Sequence, residues 1–148
     1  MRVFSRLAPP LFAMTLLTQP VAAASPEAEL AFLDAYKAAY EAQDYEAFTT
    51  LLQIDGAIEE AIDFYLLNMT AEFGGEISLS LEELTDEELA EISGPLPGLD
   101  GLDYVLKPTP YKRLVIDIVL PSGQSGGAAV FVGDLGDHII ISTPTRAP

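Results

Sequence analysis

Residues 114–120, LVIDIVL, form the most hydrophobic strand-like run of the chain, and their alternation decides how a sheet would pack. Successive side chains of a β-strand point to opposite faces, so the leucines and isoleucines at the even-numbered positions share one face. Val115, Asp117 and Val119 share the other. An antiparallel sheet usually has one face on the core and one in water, so we expect the even-numbered face to meet the helices.

Turn-forming residues separate this run from other strand-like segments. Proline and glycine cluster at 108–110, 121–127 and 133–137. The predicted strands cover residues 77–82, 104–107, 111–120, 128–132 and 138–143. Consecutive strands with such short connections favour an antiparallel meander in the C-terminal half.

The N-terminal half predicts helices. Ser25 followed by Pro26 marks a helix start, after which apolar residues recur at spacings of three and four across residues 27–43. Asp44 and Asp55 are candidate caps for two further helices. A capping box at residues 85–88 predicts a short fourth helix. The sequence therefore predicts an α+β fold, with N-terminal helices packed on an antiparallel sheet.

The first 24 residues have the pattern of a secretory signal peptide. A basic start with Arg2 and Arg6 precedes a short apolar stretch, and small residues stand before a predicted cut after Ala24. We therefore expect export to the periplasm or the extracellular space, with no membrane anchor after cleavage. A single domain is predicted for residues 25–143, followed by a disordered tail at 144–148.

Composition excludes several classes of function. The formal net charge is −16, and it becomes −18 if Arg2 and Arg6 leave with the signal peptide. Such a charge repels phosphate backbones and anionic lipids, so we expect no nucleic-acid partner. The absence of cysteine excludes disulfides and thiolate chemistry. Because the acidic turns lack the alternating ligands of a calcium loop, and residues 122–127 lack the lysine of a phosphate loop, we expect neither metal nor cofactor.

Two stretches resemble a known superfamily. FLDAYKAAYEAQDYEAFTTLL, residues 32–52, is similar to the opening helix, acidic turn and second helix of the nuclear transport factor 2-like (cystatin-like α+β cone) superfamily. AAVFVGDLGDHIIIS, residues 128–142, is similar to its closing hairpin. Members often have glycine where this chain has Gln43. The resemblance implies a curled antiparallel sheet around a pocket, and it implies no single activity, since members include both enzymes and non-catalytic binding domains.

Asp117 and His138 are the candidate catalytic residues. His138 is the only histidine, so any imidazole chemistry must use it. If the face that carries Asp117 lined the pocket, the pKa of its carboxyl would rise, and the two residues could act as an acid and base on neighbouring strands. The simpler interpretation places Asp117 on the wet face of the sheet and His138 on the surface.

Tyr36, Tyr40 and Tyr65 are the candidate ligand-binding residues, because they lie in the helical half and could present hydroxyl groups to a pocket. We therefore predict an exported, non-catalytic module that binds a small apolar molecule or another protein. The alternative is a cofactor-free isomerase or lyase that uses Asp117 and His138. A third interpretation is a homodimer that pairs through an exposed apolar sheet face.

Overall fold

The computed structural model describes residues 24–148, so the predicted signal peptide lies outside the described residues except for Ala24. Four helices and seven strands follow in the order α1 (Pro26–Glu41), α2 (Tyr45–Thr49), α3 (Glu59–Thr70), β1 (Glu76–Glu83), α4 (Asp86–Ile92), β2 (Leu96–Pro97), β3 (Asp103–Lys107), β4 (Pro110–Val119), β5 (Ser125–Asp134), β6 (Ile139–Ile141) and β7 (Thr143–Arg146). The predicted α+β class is confirmed. Within residues 24–148, no helix combines the length and the apolar character needed to cross a membrane.

Local capping explains where three of the helices begin. The Ser25 hydroxyl accepts a hydrogen bond from the backbone N–H of Ala28, and the Asp44 carboxylate accepts one from Ala47. Thr85 caps α4 in the predicted capping box. The cap predicted at Asp55 for the third helix is wrong, because Gly56 has a φ of +77° and forms a turn, so α3 begins only after Ile58.

The junction of α1 and α2 is a tight helix end. The N–H of Gln43 donates to the carbonyl of Tyr40, and the N–H of Asp44 donates to the carbonyl of Ala39. This pair of bonds is the Schellman arrangement, which requires a left-handed residue after the cap and is usually formed by glycine. Gln43 occupies that position with a φ of 52°.

The stretch LVIDIVL forms the centre of the main sheet, whose strand order is β1-β4-β5-β6. Leu114, Ile116 and Ile118 are buried against the helices, whereas Asp117 and Val119 are exposed on the opposite face. The even-numbered face is therefore the core face, as the alternation predicts. Burial of each such side chain stabilises the fold by roughly 1.5–3 kcal/mol. Their partners in the core come mainly from α1, α2 and α3 and include Phe32, Tyr36, Tyr40, Phe48, Leu66 and Met69.

The predicted meander is confirmed only for β4, β5 and β6. Strand β3 does not continue it, because it pairs with β2 and β7 in a second, three-stranded sheet. Pro108 lies in the connection between β3 and β4, Pro110 is the first residue of β4, and neither has an N–H to donate across a hairpin. The chain therefore passes from one sheet to the other at these prolines.

The C-terminal residues form a strand, so the predicted disorder of residues 144–148 is wrong. Thr143–Arg146 is β7, and the predicted domain boundary at 143 falls at its first residue. Thr145 is buried, and its hydroxyl donates to the carbonyl of Val105 over 3.3 Å. The carbonyl of Pro144 accepts a hydrogen bond from Ile58. The segment is ordered because its groups form hydrogen bonds with residues far away in the sequence. The local composition of residues 144–148 does not reveal these bonds.

Candidate functional site

The main cavity lies between α3 and the core side of β4 and β5. Its volume is about 370 Å³, near the lower end of the range of roughly 300–1,000 Å³ for ligand pockets. Apolar side chains form most of its wall, and few polar groups reach it. The lining residues are Tyr36, Phe64, Tyr65, Asn68, Met69, Ala71, Glu72, Ile116, Ile118 and 127–130.

The cavity exists because the sheet is incomplete on this side. Strand β6 pairs only with Val132–Asp134, so the preceding part of β5 has no neighbouring strand on that edge within the described residues. The core-facing residues of that part are small, since Gly126 and Ala128 pair with Ile118 and Ile116. A short neighbouring strand and small side chains together leave room beneath α3.

Tyr36 is a buried tyrosine that lines this cavity. Its side chain is only 1% exposed, and its ring packs edge-on against Phe48 with centroids 5.1 Å apart. The hydroxyl forms no hydrogen bond with any described residue, yet no fully buried side-chain oxygen of the described chain lacks a partner. Tyr36 lines the cavity, and its hydroxyl is the polar group that this residue could offer to a ligand there. Burial, with a smaller contribution from Tyr40, raises the pKa of this phenol, so it stays neutral.

Helix α3 contributes the opposite wall. Tyr65 lines the cavity, and burial raises the pKa of its phenol as well. Asn68 lies one turn further along and donates from its side-chain amide to the carbonyl of Phe64 over 2.7 Å. The ring of Phe64 lies at the rim and is 67% exposed. Tyr36 and Tyr65 are thus two predicted ligand-binding residues that the structure brings to one cavity.

The third predicted ligand-binding residue, Tyr40, does not line the cavity. Its hydroxyl donates a 2.5 Å hydrogen bond to the carbonyl of Glu72 and accepts a 2.9 Å hydrogen bond from the N–H of Gly75. Its ring packs against Phe73. Tyr40 therefore holds the turn between α3 and β1, and the structure does not bring it to the cavity with Tyr36 and Tyr65.

Glu72 is the site residue that sequence reasoning missed. Its carboxylate lies over Gly126, where an added Cβ atom would be only 2.7 Å from Oε1 of Glu72. Glycine at this position thus leaves space for the carboxylate at the cavity. Among the described residues that line the cavity, Glu72 is the only charged one, and it forms no ion pair with any residue from 24 to 148. No local motif marks it, because its importance depends on β5.

The two candidate catalytic residues are not brought together. Asp117 is exposed on the outer face of the sheet and pairs with Gly127. His138 directly precedes Ile139, which pairs with Asp134 at the other end of β5. Gly127 and Asp134 are seven positions apart on β5, so at about 3.3 Å per strand residue they are roughly 23 Å apart along the sheet. Asp117 and His138 therefore cannot share a proton in this fold.

His138 has a surface partner instead. Its Nδ1 lies 2.6 Å from the carboxylate of its neighbour Asp137, and its side chain is 56% exposed. The imidazole beside Asp137 holds the pKa of that carboxyl below its ordinary value. Within the described part of the chain, no group of three or more histidine, cysteine, aspartate or glutamate residues could hold a metal ion.

The chain matches no family model, no curated protein sequence and no solved structure.

Proposed function

We propose that this chain is an exported, non-catalytic module that binds a small, largely apolar molecule in the cavity between α3 and β5. The observation that carries the proposal is Tyr36, a buried tyrosine that lines an apolar cavity and whose hydroxyl forms no hydrogen bond with a described residue. Ligand pockets commonly combine apolar walls with a few placed polar groups, which set the orientation of the ligand.

The same feature predicts one polar atom on the ligand. In the unbound protein, water can hydrogen-bond to the Tyr36 hydroxyl through the open side of the cavity. A ligand that displaced this water without replacing its hydrogen bond would lose affinity. We therefore expect a mainly apolar molecule with at least one hydrogen-bonding atom that can reach Tyr36.

A relation to the nuclear transport factor 2-like superfamily is part of this proposal. Helices that precede an antiparallel sheet, and a cavity between the two layers, support it. The enzymatic alternative has no comparable support, because Asp117 and His138 lie far apart along the sheet.

Native mass spectrometry of the protein, purified gently from the host that produces it, tests the proposal. We expect a bound molecule of constant mass that is released on unfolding. Ala128 pairs with Ile116 on the core side and lines the cavity, so Ala128→Phe should fill the space and abolish the adduct. Ala35→Phe, at an exposed position of α1 outside the cavity lining, is the matched control. An adduct that survives Ala128→Phe, or a protein that is always ligand-free, would contradict the proposal.

A further inference from the structure

The charge of the cavity restricts which small molecule it would accept. The described residues of its lining include neither lysine, arginine nor histidine, and its two phenols are neutral. Among these residues, Glu72 therefore carries the only formal charge. The basic side chains near the ends of the sheet are already engaged, since Lys112 pairs with Glu29 and Arg113 pairs with Glu82 and Glu88.

The position of Glu72 is set by two independent contacts. Its backbone carbonyl accepts the hydrogen bond from Tyr40, and its carboxylate lies on the surface left open by Gly126. Glu72 as a whole residue is only partly exposed, and its carboxylate has no cationic partner in residues 24–148. A negative group held next to apolar walls would interact strongly with a cation that shares this partly desolvated environment.

We propose that the ligand is an amphipathic cation, a small molecule whose apolar body fills the cavity and whose ammonium group pairs with the Glu72 carboxylate. This inference rests on the proposed function and adds the charge of the ligand to it. The net charge of −16 acts in the same direction, because the field of the whole protein attracts cations and repels anions. An anionic amphiphile such as a fatty acid would place its carboxylate beside Glu72 with no basic residue in the lining to compensate.

Three probes of similar shape separate the contribution of charge from that of the apolar body: 4-phenylbutylamine, 4-phenylbutanol and 4-phenylbutanoate. Their dissociation constants are measured by isothermal titration calorimetry on the full-length folded protein at pH 7. We expect the amine to bind about tenfold more tightly than the alcohol, the usual scale of one charge-assisted contact. The carboxylate should bind weakest. Added salt should weaken binding of the amine and leave the alcohol unchanged.

Glu72→Gln assigns the preference to one residue. It should remove the tenfold advantage of the amine and leave the affinity for the alcohol unchanged, because the amide keeps the size of the side chain. Glu76→Gln is the matched control, since it changes the net charge equally at an exposed position of β1 outside the cavity. Comparison of the three probes on the unmodified protein needs no variant, so it tests the inference even if Glu72→Gln destabilises the fold.

The outcomes separate the two proposals. If the alcohol or the carboxylate binds as tightly as the amine, the preference for cations is overturned while the binding cavity stands. If Glu72→Gln and Glu76→Gln have equal effects, the pairing of the ammonium group with Glu72 is overturned. If none of the three probes binds, the proposed function is overturned and the preference with it.

Discussion

The Tyr40 hydroxyl donates a 2.5 Å hydrogen bond to the backbone carbonyl of Glu72, which lies 32 residues further along the chain. This bond joins the buried face of α1 to the turn that follows α3. The same turn carries the Glu72 carboxylate to the cavity. One tyrosine thus positions the site, whereas Tyr36, one helical turn earlier, lines the cavity itself.

Tyr40→Phe and Tyr36→Phe should therefore differ in their effects on stability. Loss of the Tyr40 hydroxyl leaves two backbone groups without their partner, so we expect the free energy of unfolding to fall by about 1–3 kcal/mol. Tyr36→Phe removes a hydroxyl without a described protein partner and should change stability by less than about 0.5 kcal/mol. Urea denaturation measures both. Equal losses would show that the hydroxyl of Tyr36 has a structural partner after all.

Asp117→Asn should be neutral. The side chain is exposed on the outer face of the sheet, so we expect a change in unfolding free energy within about 0.5 kcal/mol. His138→Gln removes an exposed contact with Asp137 and should cost at most about 1 kcal/mol. Binding of 4-phenylbutylamine, measured by calorimetry, should be unchanged in both variants. Loss of binding in both would restore these residues as candidates for the site.

Gln43→Gly should stabilise the protein. The left-handed conformation at Gln43 costs a residue with a Cβ atom about 1–2 kcal/mol, and glycine avoids this at a smaller entropic cost. We expect a net gain of about 0.5–1 kcal/mol. Ala42→Gly is the control, because Ala42 has an ordinary helical conformation with a φ of −79° and should lose stability on the same change. Thermal unfolding distinguishes the two, and a loss of stability in both would argue against strain at Gln43.

Deletion of residues 144–148 should strongly destabilise the fold. It removes most of β7, including the buried Thr145 and the pairing of Val105 with it. It also leaves the N–H of Ile58 without its partner at the start of α3. Several lost backbone bonds at about 1 kcal/mol each should lower the urea midpoint clearly. An unchanged midpoint would mean that the tail contributes nothing to the fold.

Local sequence was sufficient for the features that depend on neighbouring residues. The period of two in LVIDIVL correctly separated the buried face of β4 from the face that carries Asp117. Serine, aspartate and threonine caps correctly marked the starts of α1, α2 and α4, since a cap bonds to residues only a few positions away. The α+β class follows from the order of these two patterns along the chain.

Only the tertiary structure decided the site. Tyr36 and Tyr40 lie one helical turn apart on the same buried face, so no local pattern could distinguish the tyrosine that lines the cavity from the one that bonds to Glu72. The Glu72 carboxylate can occupy its position only because Gly126 has no side chain there, and β7 forms by pairing with β3. The alternation of side chains along the chain thus determined which face of β4 is buried. Where the cavity opens, and which residues line it, was decided by contacts between distant segments, because the chain forms those contacts only on folding.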